Sequence, residues 1–113
     1  MTQTFLCHKQ DIPELKTRSF TIEKDSEKIE LFLINNGDKI LAYKNSCPHL
    51  GIPLNWQPDE FLSLEHTHIQ CSTHGALFTL ESGNCILGPC VGQSLEPLAL
   101  DFHQNEIWLN YDS

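Results

Sequence analysis

The amino-acid sequence predicts an all-β fold, an antiparallel sandwich or barrel with binding loops projecting from one end. Short stretches of alternating apolar and polar residues recur along the chain, turn-forming residues separate them, and only Asp11 to Leu15 suggests even a short helical turn. The 113 residues suffice for one domain with a modest core. We therefore expect residues 1–113 to fold as a single domain, without a linker or an internal repeat.

The predicted strands follow one another in chain order. The first four are Phe5 to His8, Arg18 to Glu23, Ile29 to Asn35 and, after a hairpin turn at Asn36-Gly37, Lys39 to Lys44. The later ones are Phe61 to Gln70, Ala76 to Leu80, Leu98 to Phe102 and Glu106 to Tyr111. We expect residues 81–84 to form a turn and residues 103–105 to join the last two strands in a hairpin.

Two short motifs carry the chemistry, Cys47-Pro48-His49 and Cys71-Ser72-Thr73-His74. Each motif offers one thiolate and one imidazole, whereas a structural zinc site usually takes its thiolates from one motif and its imidazoles from another. A two-iron, two-sulfide cluster explains the pattern better, because its mixed form binds two cysteines on one iron and two histidines on the other. A zinc site on the same ligands, or ordinary loop residues, are the alternatives.

The residues around both motifs resemble the Rieske family. The resemblance rests on Cys47-Pro-His49-Leu-Gly-Ile-Pro-Leu54 and Cys71-Ser-Thr-His74-Gly-Ala-Leu-Phe78, followed by Ser82-Gly83 and Gly88-Pro89. It implies one [2Fe-2S] cluster with Cys47 and Cys71 on the buried iron and His49 and His74 on the outer iron. It also implies a third loop, Gly88-Pro89-Cys90, that covers the cluster, so that residues 45–92 form the cluster-binding part of the fold.

The resemblance also bears on the reduction potential. High-potential members of the family carry an extra cysteine in each loop, forming a disulfide, and a Ser and a Tyr that donate hydrogen bonds to the cluster sulfurs. The matching positions here are Ile52, Thr73, Ala76 and Phe78. Without these donors the reduced cluster loses stabilisation. We therefore expect a potential low in the Rieske range of roughly −150 to +300 mV.

Charge is distributed unevenly along the chain. All seven Lys and Arg lie at or before Lys44, where seven acids balance them, whereas residues 46–113 contain eight acids and no base. The net charge of −8 therefore belongs to the half that carries the metal-binding motifs. Such a field lowers the potential further, favours partners with basic docking surfaces and disfavours nucleic acid. An ordinary acidic, solvated surface is the alternative explanation.

The remaining sequence features bear on the localisation of the protein and on the cysteines that are not candidate ligands. No apolar run reaches the length of a membrane span, and Met1 to Asp11 lacks the features of a secretory signal, so we expect a cytoplasmic monomer without membrane contact. Three cysteines remain after the ligands, Cys7, Cys85 and Cys90, and an odd total argues against a disulfide framework. We expect them to be buried hydrophobes, with a redox pair of Cys85 and Cys90 as the alternative.

Several other residues could bind metal or shield the site, but structural roles explain them better. His66 and His68 share one face of the predicted strand that enters the second motif, pointing away from Cys71, so a second metal site there is the weaker interpretation. Trp56 could shield the cluster or simply pack. Trp108, in the last strand, is expected to be part of the scaffold.

Catalysis is a poor explanation for this chain. Two matched Cys–His pairs would be redundant for one nucleophile, and no glycine-rich nucleotide loop precedes a helix. The resemblance implies instead a low-potential ferredoxin that carries single electrons from a reductase to a terminal oxygenase, docking at a cluster tip formed by His49 and His74. The alternatives are a small subunit of a larger reductase, such as nitrite reductase, or an iron–sulfur redox sensor.

Overall fold

A computed structural model describes residues 2–24, 27–37, 39–46, 54, 61–63, 67–71, 75–88 and 90–111. Its strands are β1 (Thr2–His8), β2 (Thr17–Lys24), β3 (Glu27–Asn35), β4 (Ile40–Lys44), β5 (Ile69–Gln70), β6 (Leu77–Phe78), β7 (Cys85–Leu87), β8 (Pro97–His103) and β9 (Glu106–Tyr111). They form two antiparallel sheets: a six-stranded sheet in the order β1-β9-β8-β4-β3-β2, which is nearly a barrel, and a three-stranded sheet in the order β5-β6-β7. The all-β prediction is confirmed.

The six-stranded sheet contains the two hairpins that the sequence predicts, β3 with β4 and β8 with β9. Strands β2 and β3 pair from Thr17–Ile34 to Lys24–Glu27, and β8 and β9 pair through the predicted final hairpin. The turn between β3 and β4 is closed by the Asn36 amide, which donates to the Lys39 carbonyl at 3.1 Å. Gly37 has φ +95°, a conformation that favours glycine, as expected for an Asn-Gly hairpin.

The predicted helical turn lies earlier than expected. A short 3-10 helix spans Lys9–Asp11, directly after β1, rather than residues 11–15. Leu15 has φ +58°, outside the right-handed helical region, so a helix could not extend through it. The helical turn is therefore confirmed in kind and wrong in position.

The prediction of one strand over residues 61–70 is wrong, because this segment folds back on itself. Leu62 forms a bridge with Ile69, the Gln70 amide donates to the Phe61 carbonyl at 2.9 Å, and the Ser63 amide donates to the His68 carbonyl at 2.9 Å. Phe61 and Ile69 are both buried, and folding back lets these two apolar residues reach one core. Strand β7 was not predicted, since Cys85-Ile86-Leu87 shows no alternation of polarity.

Strand β3 separates two hydrophobic cores. Successive side chains of a strand point to opposite faces, and here both faces are covered, so residues 31–34 are all fully buried. Leu31 and Leu33 belong to the core enclosed by the large sheet, together with Ile107 and Leu109. Phe32 and Ile34 belong to the second core, shared with the small sheet.

The second core joins the large sheet to the small one. Its buried members are Phe32, Ile34, Tyr43, Leu54, Phe61, Ile69, Cys71, Ala76, Phe78, Cys85, Cys90 and Leu95. The rings of Phe32 and Phe61 are stacked with their centroids 4.2 Å apart, so Phe61 packs directly against β3. Among the described ranges, no helix has the length and apolar character needed to cross a bilayer.

Candidate metal centre

The second Cys/His motif begins at the end of β5. Cys71 is fully buried, and its amide donates to the Ala76 carbonyl at 2.9 Å, while its carbonyl accepts from the Gly75 amide at 2.9 Å. These two bonds join the beginning of the loop to its end. Gly75 has φ +66°, which a residue with a side chain adopts with difficulty, so glycine suits this tight return. The Cys71 thiol is thus presented from the base of a short, closed loop.

The ends of the first motif's loop are joined by an asparagine. Asn45 follows β4, and its side-chain Oδ1 accepts from the Leu54 amide at 2.8 Å, while its own amide donates to the Glu30 carbonyl at 2.8 Å. Leu54 is fully buried in the second core. The segment between these ends, residues 46–53, includes Cys47 and His49. Asn45 therefore joins the loop both to itself and to β3.

The third predicted loop packs against the second one. Gly88 has φ +110°, and a Cβ atom built on it would lie 2.9 Å from both Cα and Cβ of Ala76. Only glycine permits so close an approach without a shift. The Val91 amide donates to the Gly88 carbonyl at 3.4 Å and the Gln93 amide to the Cys90 carbonyl at 2.9 Å, so the loop turns back immediately.

The described parts of all three loops converge on one core. Leu54, Cys71, Ala76 and Cys90 are buried together in it. Cys47, His49 and His74 lie outside the described residues, as do Ile52, Thr73 and Pro89. The described part of the site fits an iron–sulfur cluster, because a water-excluded cysteine stands at the base of a tight loop whose sequence also supplies imidazole.

The spare cysteines are buried, as predicted. Cys85 and Cys90 are buried in the second core, and the Cys85 thiol donates to the Leu87 carbonyl at 3.4 Å. Cys7 is buried in the core of the large sheet. Burial raises the pKa of the Cys7 thiol, the nearby Asp11 adds to this increase, and Arg18 opposes it. A raised pKa keeps this thiol protonated and unreactive, as expected for a core residue.

The structure describes two of the four positions that the family resemblance relates to the potential, Ala76 and Phe78, and both lack a hydroxyl and are fully buried. Ala76 precedes β6, where it contacts Gly88, and Phe78 pairs across the small sheet with Ile69 and Cys85. Their burial excludes water from this side of the site, so no solvent donor replaces the missing side-chain hydroxyls.

One tyrosine links the two sheets next to the site. Tyr43 extends from β4 into the second core, and its hydroxyl donates to the Leu80 carbonyl at 3.3 Å. Burial raises the pKa of Tyr43, and the Glu81 carboxylate adds to the increase. Gly83 packs against this ring, since a Cβ there would lie 2.8 Å from a ring carbon. The contact between Tyr43 and Gly83 was not predicted from the sequence, because it is long-range.

Among the remaining candidates, His68 and Trp108 belong to the described residues. His68 is half-buried, and its Nδ1 is 2.9 Å from the Thr67 hydroxyl oxygen. The indole nitrogen of Trp108 donates to Glu106 at 3.3 Å, and its ring meets the edge of Phe5, which agrees with the predicted scaffold role. His66 and Trp56 lie outside the described residues.

Comparison with known proteins supports the same kind of centre. The family model described as the Rieske [2Fe-2S] domain matches residues 2–103. A search by sequence among curated proteins finds no significant match.

Two solved structures resemble the chain over nearly its whole length. One is a chain in the complex of reduced oxygenase and oxidized ferredoxin in carbazole 1,9a-dioxygenase, with 19% identity, a TM-score of 0.71 and coverage of 95% of this chain and 91% of that one. The other is the ferredoxin of carbazole 1,9a-dioxygenase from Nocardioides aromaticivorans IC177, with 19% identity, a TM-score of 0.70 and coverage of 96% and 97%.

A larger enzyme contains a similar fold as one part of its chain. The apo form of the quaternary ammonium Rieske monooxygenase CntA matches with 17% identity and a TM-score of 0.79, over 98% of this chain but only 33% of that one. At these identities the similarity establishes the fold.

Proposed function

Because this chain belongs to the Rieske [2Fe-2S] domain family, we propose that it is a low-potential ferredoxin carrying single electrons from a reductase to an oxygenase of the Rieske non-haem iron, ring-hydroxylating type. The observation that carries this proposal is coverage. The chain corresponds to 97% of a dioxygenase ferredoxin but to only 33% of a Rieske monooxygenase. This similarity over nearly the whole length of a ferredoxin supports the role of an electron carrier.

In this proposal Cys47 and Cys71 bind one iron of a [2Fe-2S] cluster, and His49 and His74 bind the other. Such a cluster supplies one-electron chemistry. The position of Cys71 supports this role, because Cys71 is buried at the start of a loop whose two ends are joined by backbone hydrogen bonds. The Gly75 and Ala76 backbone bonds fix the start and the end of its loop, and Asn45 does so for the loop that includes Cys47.

A low potential is supported by what surrounds this loop. Ala76 and Phe78 are fully buried and carry no hydroxyl that could donate to a sulfide, so the extra negative charge of a reduced state gains no stabilisation from them. Residues 46–113 contain eight acids and no Lys or Arg, and this negative charge also lowers the potential. The same charge favours a reductase and an oxygenase with basic docking surfaces.

Electron paramagnetic resonance of the reduced protein tests the cofactor and its ligands. We expect a signal with the low average g-value of a histidine-ligated cluster, which His74→Ala disturbs. His68→Ala is the matched control, since His68 lies in the turn before β5 and its ring contacts Thr67. An intact signal in the His74 variant would overturn the ligand assignment, and a colourless protein containing zinc would overturn the cluster.

Co-purification tests the role as a carrier. We expect the tagged protein to be isolated without a stoichiometric large subunit, and to pass electrons from a ferredoxin reductase to an external acceptor. A constant one-to-one association with a large reductase polypeptide would show instead that the chain is a permanent subunit.

A further inference from the structure

Building on the proposed function, we propose that Ile86, Leu87 and Val91 form a docking surface for a partner protein whose contact face is apolar at its centre and carries Lys and Arg at its margin. We call these three residues the aliphatic surface. It is separate from the proposed ligands and determines how long the partner remains bound.

A β-bulge creates the aliphatic surface. Phe78 pairs with Cys85 and Leu77 with Leu87, so Ile86 is an inserted residue of β7. In a regular ladder successive side chains alternate between the two faces, so one of two neighbouring aliphatic residues would be buried. The bulge disrupts this alternation, and Ile86 and Leu87 are 49% and 57% exposed.

Strongly exposed apolar side chains are concentrated here. Among the described residues, the large hydrophobic side chains in this class are Phe5, Ile86, Leu87, Val91 and Phe102. Three of these five lie within six residues of sequence, and Val91 is the most exposed at 61%. Single exposed apolar residues are ordinary on protein surfaces, whereas a concentration of them indicates an interaction site.

The aliphatic surface adjoins the proposed metal centre. Gly88 lies between Leu87 and Val91 in the chain and packs directly on Ala76, which ends the loop that begins at Cys71. The Val91 amide donates to the Gly88 carbonyl, so Val91 belongs to the same tight turn. A partner covering these residues therefore also covers the edge of the second ligand loop and brings its own redox group near.

Charge identifies the kind of partner. The sequence contains no Lys or Arg after Lys44, and the half of the chain that includes the aliphatic surface carries the whole net charge of −8. A second copy of this chain, an anionic membrane or a nucleic acid would meet charge of the same sign. A protein with basic residues around an apolar centre is complementary in both respects. Its charges accelerate the encounter, and the aliphatic contact slows dissociation.

Electron transfer to cytochrome c tests this surface, because that protein is basic and exposes an apolar haem edge. The chemically reduced protein is mixed with oxidised cytochrome c, and separately with ferricyanide, a small oxidant that needs no docking. The variants are Leu87→Ser, Val91→Ser and the combination of both. The matched control is Phe102→Ser, since Phe102 is 43% exposed and lies on β8.

We expect the second-order rate constant for cytochrome c to fall roughly tenfold in the double variant, as loss of a central apolar contact predicts. The rate with ferricyanide, the paramagnetic resonance signal and the midpoint potential should stay the same, and Phe102→Ser should resemble the wild type. An unchanged cytochrome c rate in the double variant, or an equal loss in Phe102→Ser, overturns the aliphatic surface. A wild-type protein without the resonance signal overturns the proposed function instead. Val91 lies outside the strands, so Val91→Ser alone decides the question if Leu87→Ser disturbs β7.

Discussion

The two sheets of this protein are stabilised in different ways. In the large sheet, β2 and β3 alone pair over eight positions, and regular backbone ladders carry most of the architecture. In the small sheet, β5 and β6 have two residues each and β7 has three, so its ladders are too short to stabilise it alone. The small sheet is stabilised instead by hydrogen bonds of the loops, by close contacts at glycines and by the core that it shares with the large sheet. We therefore expect the large sheet to fold from its own strand pairing, and the small sheet to depend on tertiary contacts and on the proposed cluster.

Strand β3 is the boundary at which this difference should become measurable. Leu31 and Leu33 pack inside the large sheet, whereas Phe32 and Ile34 pack toward the small one. Loss of order in the small sheet would expose the second pair while leaving the first pair buried. Substitutions on the two sides of β3 should thus separate cluster binding from scaffold stability.

The largest effect is expected from Cys71→Ser. Removing a proposed thiolate ligand should abolish the visible absorption and the resonance signal, while circular dichroism retains the β-signature of the large sheet. Hydrogen exchange should show protection kept in β2, β3 and β9 and lost in β5 to β7. Cys85→Ser is the matched control, because Cys85 is also buried and the serine hydroxyl could still donate to the Leu87 carbonyl. A Cys71 variant that retains its colour would contradict the comparison.

Gly88→Ala should have the next largest effect. The added Cβ would lie 2.9 Å from the Cα and Cβ of Ala76, and φ is +110°, so both steric overlap and backbone strain oppose it. We expect a loss of about 2–4 kcal/mol in the free energy of unfolding and a shorter cluster half-life.

Gly92→Ala separates the two contributions to this loss. Gly92 has a similar φ of +96°, but nothing lies within 4 Å of the added Cβ. Only the backbone term remains, so denaturant unfolding should show a loss of about 1 kcal/mol. Equal losses in the two variants would show that the contact between Gly88 and Ala76 does not hold the loops together.

Asn45→Ala should have a smaller effect that concerns cluster retention. The substitution removes the acceptor for the Leu54 amide, a partly buried bond worth about 1–2 kcal/mol, and releases one end of the loop that includes Cys47 and His49. The rate of iron release to a chelator should therefore rise. Asn36→Ala is the control, because the Asn36 Oδ1 accepts from the Lys39 amide in a hairpin of the scaffold. If both variants release iron at the same rate, Asn45 has no special role.

The comparison of sheets also explains which parts of the fold could be predicted from sequence. The hairpins of the large sheet follow from local signals, namely alternation of polarity and the Asn36-Gly37 turn, and they are confirmed. The small sheet has almost no such signal. The apolar residues of segment 61–70 do not indicate that Leu62 pairs with Ile69. The bulge at Ile86 disrupts the alternation of a regular strand, so β7 has no clear sequence signal. Sequence patterns therefore predict the strands that are stabilised by pairing with a strand close in sequence.

The site divides in the same way. The sequence suggests candidate ligands because metal binding requires particular residue types at close spacing, and these assignments stay predictions; Cys71, the one described candidate, directly follows β5. The contacts that hold the loops together could not be predicted from the sequence. Asn45 and Leu54 are nine residues apart, and Gly88 and Ala76 are twelve apart, so their pairing depends on the folded chain. An asparagine before a loop suggests a hydrogen bond from its side chain to the backbone, but the sequence does not show which backbone group is the partner.

The smallest effect is expected from Ala76→Ser, which alters the potential rather than the stability. Ala76 is fully buried at the end of the second loop, so an added hydroxyl lies where water cannot compete with it. If it donates to a cluster sulfur, it stabilises the reduced, more negative state. A difference of about 1 kcal/mol between the two redox states corresponds to roughly +40 mV for one electron. Protein film voltammetry measures this shift.

Leu77→Ser is the control for the potential measurement. Leu77 is half-buried and pairs with Leu87 on the face that carries the aliphatic surface, so its hydroxyl should leave the potential unchanged. A potential that does not rise in Ala76→Ser would contradict the proposed donor, and one that rises equally in both variants would show that general polarity rather than a specific donor sets the value. A rise in Ala76→Ser alone would mean that side chains of the small sheet determine the redox property, while the large sheet contributes stability only.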